Sequence, residues 1–366
     1  MDHLVNAIVA HELNETADYR QRFRFEKSIT RIKPSQKKLL QSQISQIEGA
    51  RFEKIIGPSV LSSNASDKQL INFKNDGYLY PLQLKDEYIQ KVYAALDTLP
   101  FTNRVTGDVL YSSDFLERSG DGGKLSDFKG TYWLSDGTPE NQKFLLSETM
   151  QQIAFDPGIL NLVAEYLQAT PIHVATNAWF SGSSTSQNEV SVNAQEFHQD
   201  CGFAQFVKVF IYLSDTSLKN GPHSFVRGSC NGDHHELIPG YTESKRISKD
   251  TLLEYYPKEC FETICGNRGT VILGDTSCFH RGEPVIEGAR LMLNLEYTSS
   301  LFGSSVNYFH GSPKVKYLDN VCEVNKLRIT KNYRPELAQT YDEYYSKLNV
   351  LKRSARRKIL TILGRE

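Results

Sequence analysis

A histidine and an aspartate stand two residues apart in the run EFHQDCGF, as His198 and Asp200. In an extended strand, residues i and i+2 project to one side. An imidazole and a carboxylate therefore converge there, with Gln199 turned away. Alone, the pair reads most simply as a hydrogen-bonded His–Asp couple. A second element changes its weight: GTVILGDTSCFHRGEP puts His280 just after a strand and a turn, 82 residues downstream. Two histidines and one carboxylate on different strands of a barrel are the donors of a 2-His-1-carboxylate facial triad. That triad fills one face of an octahedral iron and leaves three positions open. Neutral imidazoles with one carboxylate suit Fe(II), and the open positions suit a bidentate cosubstrate and O2.

Arg290, in EGARLMLNLEY, follows His280 by ten residues on the next predicted strand. An arginine among apolar neighbours is costly to bury without a partner. Two accounts stand side by side. It points outward from an alternating strand, or it points into the barrel and forks onto a carboxylate, which its planar head matches. Arg290, Met292, Asn294 and Glu296 share one face, so that face is not purely apolar.

The elements that must position these residues follow from pattern. The chain has 366 residues, 39% hydrophobic and 11% aromatic, enough for a sizeable core. Residues 1–65 read as a helical N-terminal extension, with ten Lys/Arg against three Asp/Glu between 19 and 54 and a helix break at Pro34. SSNASDK reads as a polar linker, and a new unit opens at LINFKNDGYLYPLQL, where Asn75-Asp76-Gly77 makes the turn before a short strand. KDEYIQKVYAALDTL has helical spacing, and 139–168 reads as two helices split at Asp156-Pro157-Gly158. From 171 to 300 the pattern is β: short runs rich in Val, Ile, Phe and Tyr, bounded by Gly, Pro, Asn and Asp, EFHQD among them. The fold class expected is mainly β with flanking helices, on a double-stranded β-helix, jelly-roll core. The division expected is an extension over 1–65, a catalytic unit over 66–310 and a helical C-terminal extension over 311–366 packing on it.

With these residues in hand, the run HQD … VKVFIYLSDTSLKNGPHSFVRGS … GTVILGDTSCFHRGEP … GAR resembles the phytanoyl-CoA dioxygenase family of Fe(II)/2-oxoglutarate oxygenases. The resemblance runs from FKNDGYLYP to about Tyr297 and includes FDPGILNLVAEYLQATPIHV. It implies His198, Asp200 and His280 as iron ligands and Arg290 as the anchor for the distal carboxylate of 2-oxoglutarate. Asn177, on the strand before the His-x-Asp pair, is the candidate for a further polar hold on the cosubstrate. The implied reaction consumes 2-oxoglutarate and O2, releases succinate and CO2, and oxidises a small-molecule substrate. Halogenating relatives lack the carboxylate, so Asp200 favours a hydroxylase, or a desaturase or cyclase using the same oxidant. One departure is that Cys230 stands where the family often has histidine. His223 reads as a residue packing the turn at Gly221-Pro222.

Other features carry less. A net charge of −1 argues against a nucleic-acid partner. No apolar run is long enough to span a membrane, and no secretory signal is evident, so the expectation is cytoplasmic. The six cysteines include no CxxC pair and read as free, mostly buried thiols. The glycine-rich loop 112–130 reads as a lid or as a plain insertion, and Trp179 and Phe203 as pocket walls or core. His234-His235 reads as surface. The tail from Lys347 has seven basic residues and an apolar stripe, read as a helix packed on the body rather than a peripheral membrane contact. Two rivals remain: a non-catalytic jelly-roll binding protein, and a cupin-type enzyme without 2-oxoglutarate, against which Arg290 argues.

Overall fold

The computed structural model describes residues 34–48, 52–115, 129–134, 138–183, 194–231, 238, 245–301, 318–319, 321–330 and 333. The loop between 116 and 128, His234-His235 and the basic tail lie outside the described residues.

Helix α1 (Pro34–Glu48) begins at the proline expected to break it. Helix α2 (Asp67–Asp76) starts on a capping box between Ser66 and Gln69 and stops at Gly77, whose φ of 84° only glycine adopts freely. Strand β1 (Tyr78–Gln83) and helix α3 (Asp86–Leu96) follow, then β2 (Pro100–Asn103), β3 (Val109–Tyr111), α4 (Ser112–Phe115) and β4 (Thr131–Trp133). Where two helices were expected there are three: α5 (Pro139–Leu145), α6 (Glu148–Ala154) and α7 (Pro157–Leu167). The extra break is at Ser147, whose hydroxyl accepts from Met150 N and so starts a new helix. Asp156 and Pro157 open α7 as expected.

The β elements are β5 (Ile172–Ser181), β6 (Phe206–Tyr212), β7 (His223–Val226), β8 (Phe261–Ile264), β9 (Thr270–Gly274), β10 (His280–Gly282) and β11 (Arg290–Thr298), with α8 (Lys249–Leu253) before β8 and α9 (Glu323–Ile329) after β11. They form an eight-stranded sheet, β1-β9-β6-β11-β5-β4-β2-β3, and a three-stranded sheet, β10-β7-β8. The paired strands are antiparallel, as a jelly roll requires. The fold is thus mainly β with flanking helices, the large sheet remaining open at its edges.

Alternation along the strands sorts side chains into layers. Leu291, Leu293, Leu295 and Tyr297 of β11 join Val207, Val209 and Ile211 of β6 in a core shared with the helices. Leu40 and Ile44 of α1 and Ile55 and Val60 lie in that same core. The opposite face meets the small sheet, through Trp179, Phe210, Tyr212, Ile272 and Met292 against Phe225 and Ile264. A further cluster, Phe197, Val226, Ile247, Leu252, Tyr256 and Phe279, packs beside the small sheet.

Candidate metal centre

EFHQD is not the strand its sequence predicts. It is extended chain held by isolated bridges, His198 to His280 and Phe197 to Ile247. His198 N donates to the His280 carbonyl at 3.1 Å and the reverse bond is 3.0 Å, while Asp200 N donates to Thr276 O at 2.8 Å. The i, i+2 logic survives. His198, Asp200 and His280 each offer one ligand atom, and those atoms lie within 4.8 Å of one another.

The imidazoles are set up as donors. His198 Nδ1 is 2.9 Å from the Glu196 carbonyl and His280 Nδ1 is 3.0 Å from the Cys278 carbonyl. A carbonyl only accepts, so each Nδ1 carries the proton and each Nε2 keeps its lone pair. This is how outer partners orient metal-binding histidines. Burial pushes the His198 pKa down to about 3, and burial likewise lowers that of His280, so both are neutral at pH 7. Burial works against the Asp200 charge, but the Lys208 ammonium beside it prevails and holds the carboxyl well below the usual range.

Register puts a second set of polar groups on the same interior face. β5 and β11 pair Asn177 with Asn294 and Ser181 with Arg290. β6 adds Phe210 opposite Asn294 and Lys208 opposite Glu296. Arg290 is 3% exposed. It donates to the Gly221 carbonyl, and among the described residues no carboxylate pairs with it. Of the two accounts of Arg290, the inward one is the observed one. Its Nε, Asn294 Oδ1, His223 Nε2 and Thr131 Oγ1 are buried without a hydrogen-bond partner. Such atoms are rare in folded proteins and call for a polar guest. A dicarboxylate fits: a buried guanidinium lacks an anion, and acceptors and donors line the approach. Asn177 is half-buried, and among the described residues its side chain has a long contact from Asn141 Nδ2 at 3.5 Å.

His223 does more than pack a turn. Its ring lies between Phe210 and Phe225 and faces His280 with centroids 5.6 Å apart. Gly221, at φ 75°, makes the expected tight turn, and a Cβ there would meet Glu283 O at 2.5 Å. Trp179 is buried, stacked on Trp133 at 4.7 Å. Phe203 is buried in the wall of a cavity of about 450 Å³ that reaches Asp200 and is closed on one side by Lys37 and Gln41 of α1. Gln41 Nε2 donates to Ala204 O at 2.7 Å and Lys38 Nζ to Asn231 O at 2.7 Å, pinning α1 there. All six cysteines are free, as expected, but only Cys278 is buried. The Cys230 amide donates to Cys278 Sγ at 3.2 Å.

Lys208 and Arg246 were not singled out by sequence. A signal for Lys208 was present, since it is the lone charge in FVKVFIY, and Glu296, which it approaches, was already placed on the face of Arg290.

Comparison with known proteins adds the following. The family profile described as Phytanoyl-CoA dioxygenase (PhyH) matches residues 118–289, a span holding all three triad residues and ending one residue before Arg290. No curated protein matches the chain. Solved structures similar to it include HygX from Streptomyces hygroscopicus with nickel and 2-oxoglutarate bound, at 15% identity over 64% of this chain and 87% of that one, TM-score 0.43. The non-heme alpha ketoglutarate dependent epimerase SnoN from nogalamycin biosynthesis is 16% identical over 63% of this chain and 82% of its own, TM-score 0.42. The non-heme monooxygenase ThoJ is 16% identical over 75% of this chain and 99% of its own, TM-score 0.42. No helix among the described residues is long and apolar enough to cross a membrane. Residues 118–289 thus match the phytanoyl-CoA dioxygenase family profile, and the His–Asp–His set converges inside that span.

Proposed function

We propose that the protein hydroxylates a small-molecule substrate, using Fe(II), 2-oxoglutarate and O2 and releasing succinate and CO2. One observation carries the reading: three ligand atoms within 4.8 Å of one another stand near a buried arginine that makes no ion pair among the described residues, Glu283 acting on it only at longer range. In this reading His198 and His280 hold iron through Nε2, and Asp200 through one carboxylate oxygen. Arg290 forks onto the distal carboxylate of 2-oxoglutarate, and Asn177 assists from the neighbouring strand.

Iron and 2-oxoglutarate, when bound, supply the oxidation of a C–H bond coupled to decarboxylation. The chain's own work is positional. The Glu196 and Cys278 carbonyls fix the ring orientations of the two histidines. Lys208 occupies one oxygen of Asp200 and leaves the other for the metal. Trp179, Phe210 and Met292 wall the interior against water. The division into a catalytic unit over 66–310 with packed extensions on either side, and a cytoplasmic location, belong to the same proposal.

The test is anaerobic loading with Fe(II) and 2-oxoglutarate, then O2 and a metabolite extract, following succinate and product masses. Succinate formation that disappears in Asp200→Ala and His280→Ala, with a +16 product, is expected. A −2 product would replace hydroxylation by desaturation or cyclisation. Absence of any succinate from the loaded wild type, or full activity in Asp200→Ala, would sink the assignment.

A further inference from the structure

Two antiparallel bridges meet at the His-x-Asp segment. His198 pairs with His280 on one side. On the other, Phe197 pairs with Ile247, whose N–H donates to Phe197 O at 2.8 Å. One residue further along this second pairing, Arg246 comes opposite His198. Arg246, His198 and His280 thus form one cross-strand row, and residues directly opposite project to the same face. The guanidinium stem therefore leaves the backbone on the side where the two imidazoles converge.

Three other cations near the triad, among the described residues, are committed. Lys208 Nζ is 2.7 Å from Asp200 Oδ2. Arg281 grips Glu283 at 2.9 and 2.6 Å. Arg290 sits at the far end of the interior row and is assigned to the cosubstrate. Arg246 is half-buried, and among the described residues it makes no hydrogen bond or ion pair. Its charge is nevertheless felt at His198, Asp200 and His280, so it stands within electrostatic reach of all three, and the Glu196 carboxylate acts on it without forming an ion pair. A partly desolvated guanidinium with idle donors is unfavourable unless an oxyanion completes it.

We propose that Arg246 anchors an anionic group of the substrate, a carboxylate or a phosphate, beside the metal. This rests on the oxygenase reading and narrows it: the substrate is an acid, held by Arg246 at one side of the triad while Arg290 holds 2-oxoglutarate at the other.

The test uses the full chain loaded with Co(II) and 2-oxoglutarate. Calorimetry gives the affinity for each. The paramagnetic relaxation of ³¹P in inorganic phosphate and of ¹³C in labelled propanoate, titrated separately, reports an oxyanion close to the metal. Saturable enhancement is expected in at least one arm, and the stronger arm identifies the anion. It should fall at least about tenfold in affinity in Arg246→Ala and Arg246→Gln, equivalent to about 1.4 kcal/mol, and recover in part in Arg246→Lys. Cobalt and 2-oxoglutarate affinities should stay unchanged. Enhancement undiminished in Arg246→Ala, or absent from both wild-type arms, would overturn the proposal. So would a drop in 2-oxoglutarate affinity in Arg246→Ala, which would make Arg246 a cosubstrate anchor. Wild type that takes up neither cobalt nor 2-oxoglutarate would instead overturn the oxygenase reading itself.

Discussion

Lys208 Nζ lies 2.7 Å from Asp200 Oδ2 and 4.0 Å from Glu296 Oε2, so one oxygen of the triad carboxylate is already engaged by an ammonium. Removing that ammonium has two opposed effects. A cation no longer opposes a second cation at the site, and the carboxylate is free to turn and offer both oxygens. Lys208→Met should therefore bind Co(II) at least as tightly as wild type. Turnover of 2-oxoglutarate should fall about 10- to 100-fold, the usual effect of losing an outer partner. Calorimetry and succinate assays on one preparation check this; weakened cobalt binding would show that Lys208 supports the metal directly.

Arg290→Ala should raise the dissociation constant for 2-oxoglutarate by about tenfold or more, since loss of one charged contact exceeds about 1.4 kcal/mol. Arg290→Lys should recover little, because a point charge cannot reproduce the fork. Binding measured without O2 isolates this from catalysis. Unchanged affinity in Arg290→Ala would assign the anchor elsewhere.

His173 gives a pH dependence away from the triad. It is fully buried between Tyr333 OH at 2.6 Å and Thr176 Oγ1 at 2.9 Å, and burial pushes its pKa down to about 3. Below about pH 6.5 the unfolded chain takes up a proton that the folded chain refuses. Stability is therefore fully present above about pH 6.5 and is lost as pH falls toward about 3, at up to about 1.4 kcal/mol per pH unit. Urea unfolding of metal-free protein at pH 7, 6 and 5 should show this slope, reduced in His173→Gln. An identical slope in the variant would remove His173 from the account.

Asp156 ties the segment before α2 to α7. Its Oδ1 accepts from Ile159 N at 2.9 Å and Ser59 Oγ at 2.8 Å, and Oδ2 from Val60 N at 2.7 Å. Asp156→Ala leaves buried amides unsatisfied and should cost about 2–3 kcal/mol in chemical unfolding. A loss below about 0.5 kcal/mol would mean that water replaces the carboxylate without penalty.

Local pattern alone left His198 and Asp200 as a hydrogen-bonded couple and Arg290 as inward or outward; the grouping with His280 was legible through the order and offsets of these residues and the family resemblance they carry. Lys208 was hidden because an isolated lysine in an alternating strand looks like a solvent-facing residue. Only the pairing of β6 with β11 brings it to Glu296 and the interior face. Arg246 was hidden for a similar reason: its place beside His198 depends on a single bridge between Phe197 and Ile247, across 50 positions of chain that no local pattern registers. EFHQD was read as a strand from composition alone. In the fold it has a bridge on each flank but no continuous ladder, because successive residues bond to different segments.

Helix α1 closes one side of the cavity at Asp200, although it lies more than 60 residues upstream of the matched family span. A shortened chain beginning at residue 66 would keep every triad residue, Arg290 and Arg246, and would look complete by any motif. It would nonetheless lack Lys37, Lys38 and Gln41, and so present a wider mouth with two unmet carbonyls, those of Ala204 and Asn231. Substrate screens run on such a trimmed chain would sample a different selectivity from that of the intact one.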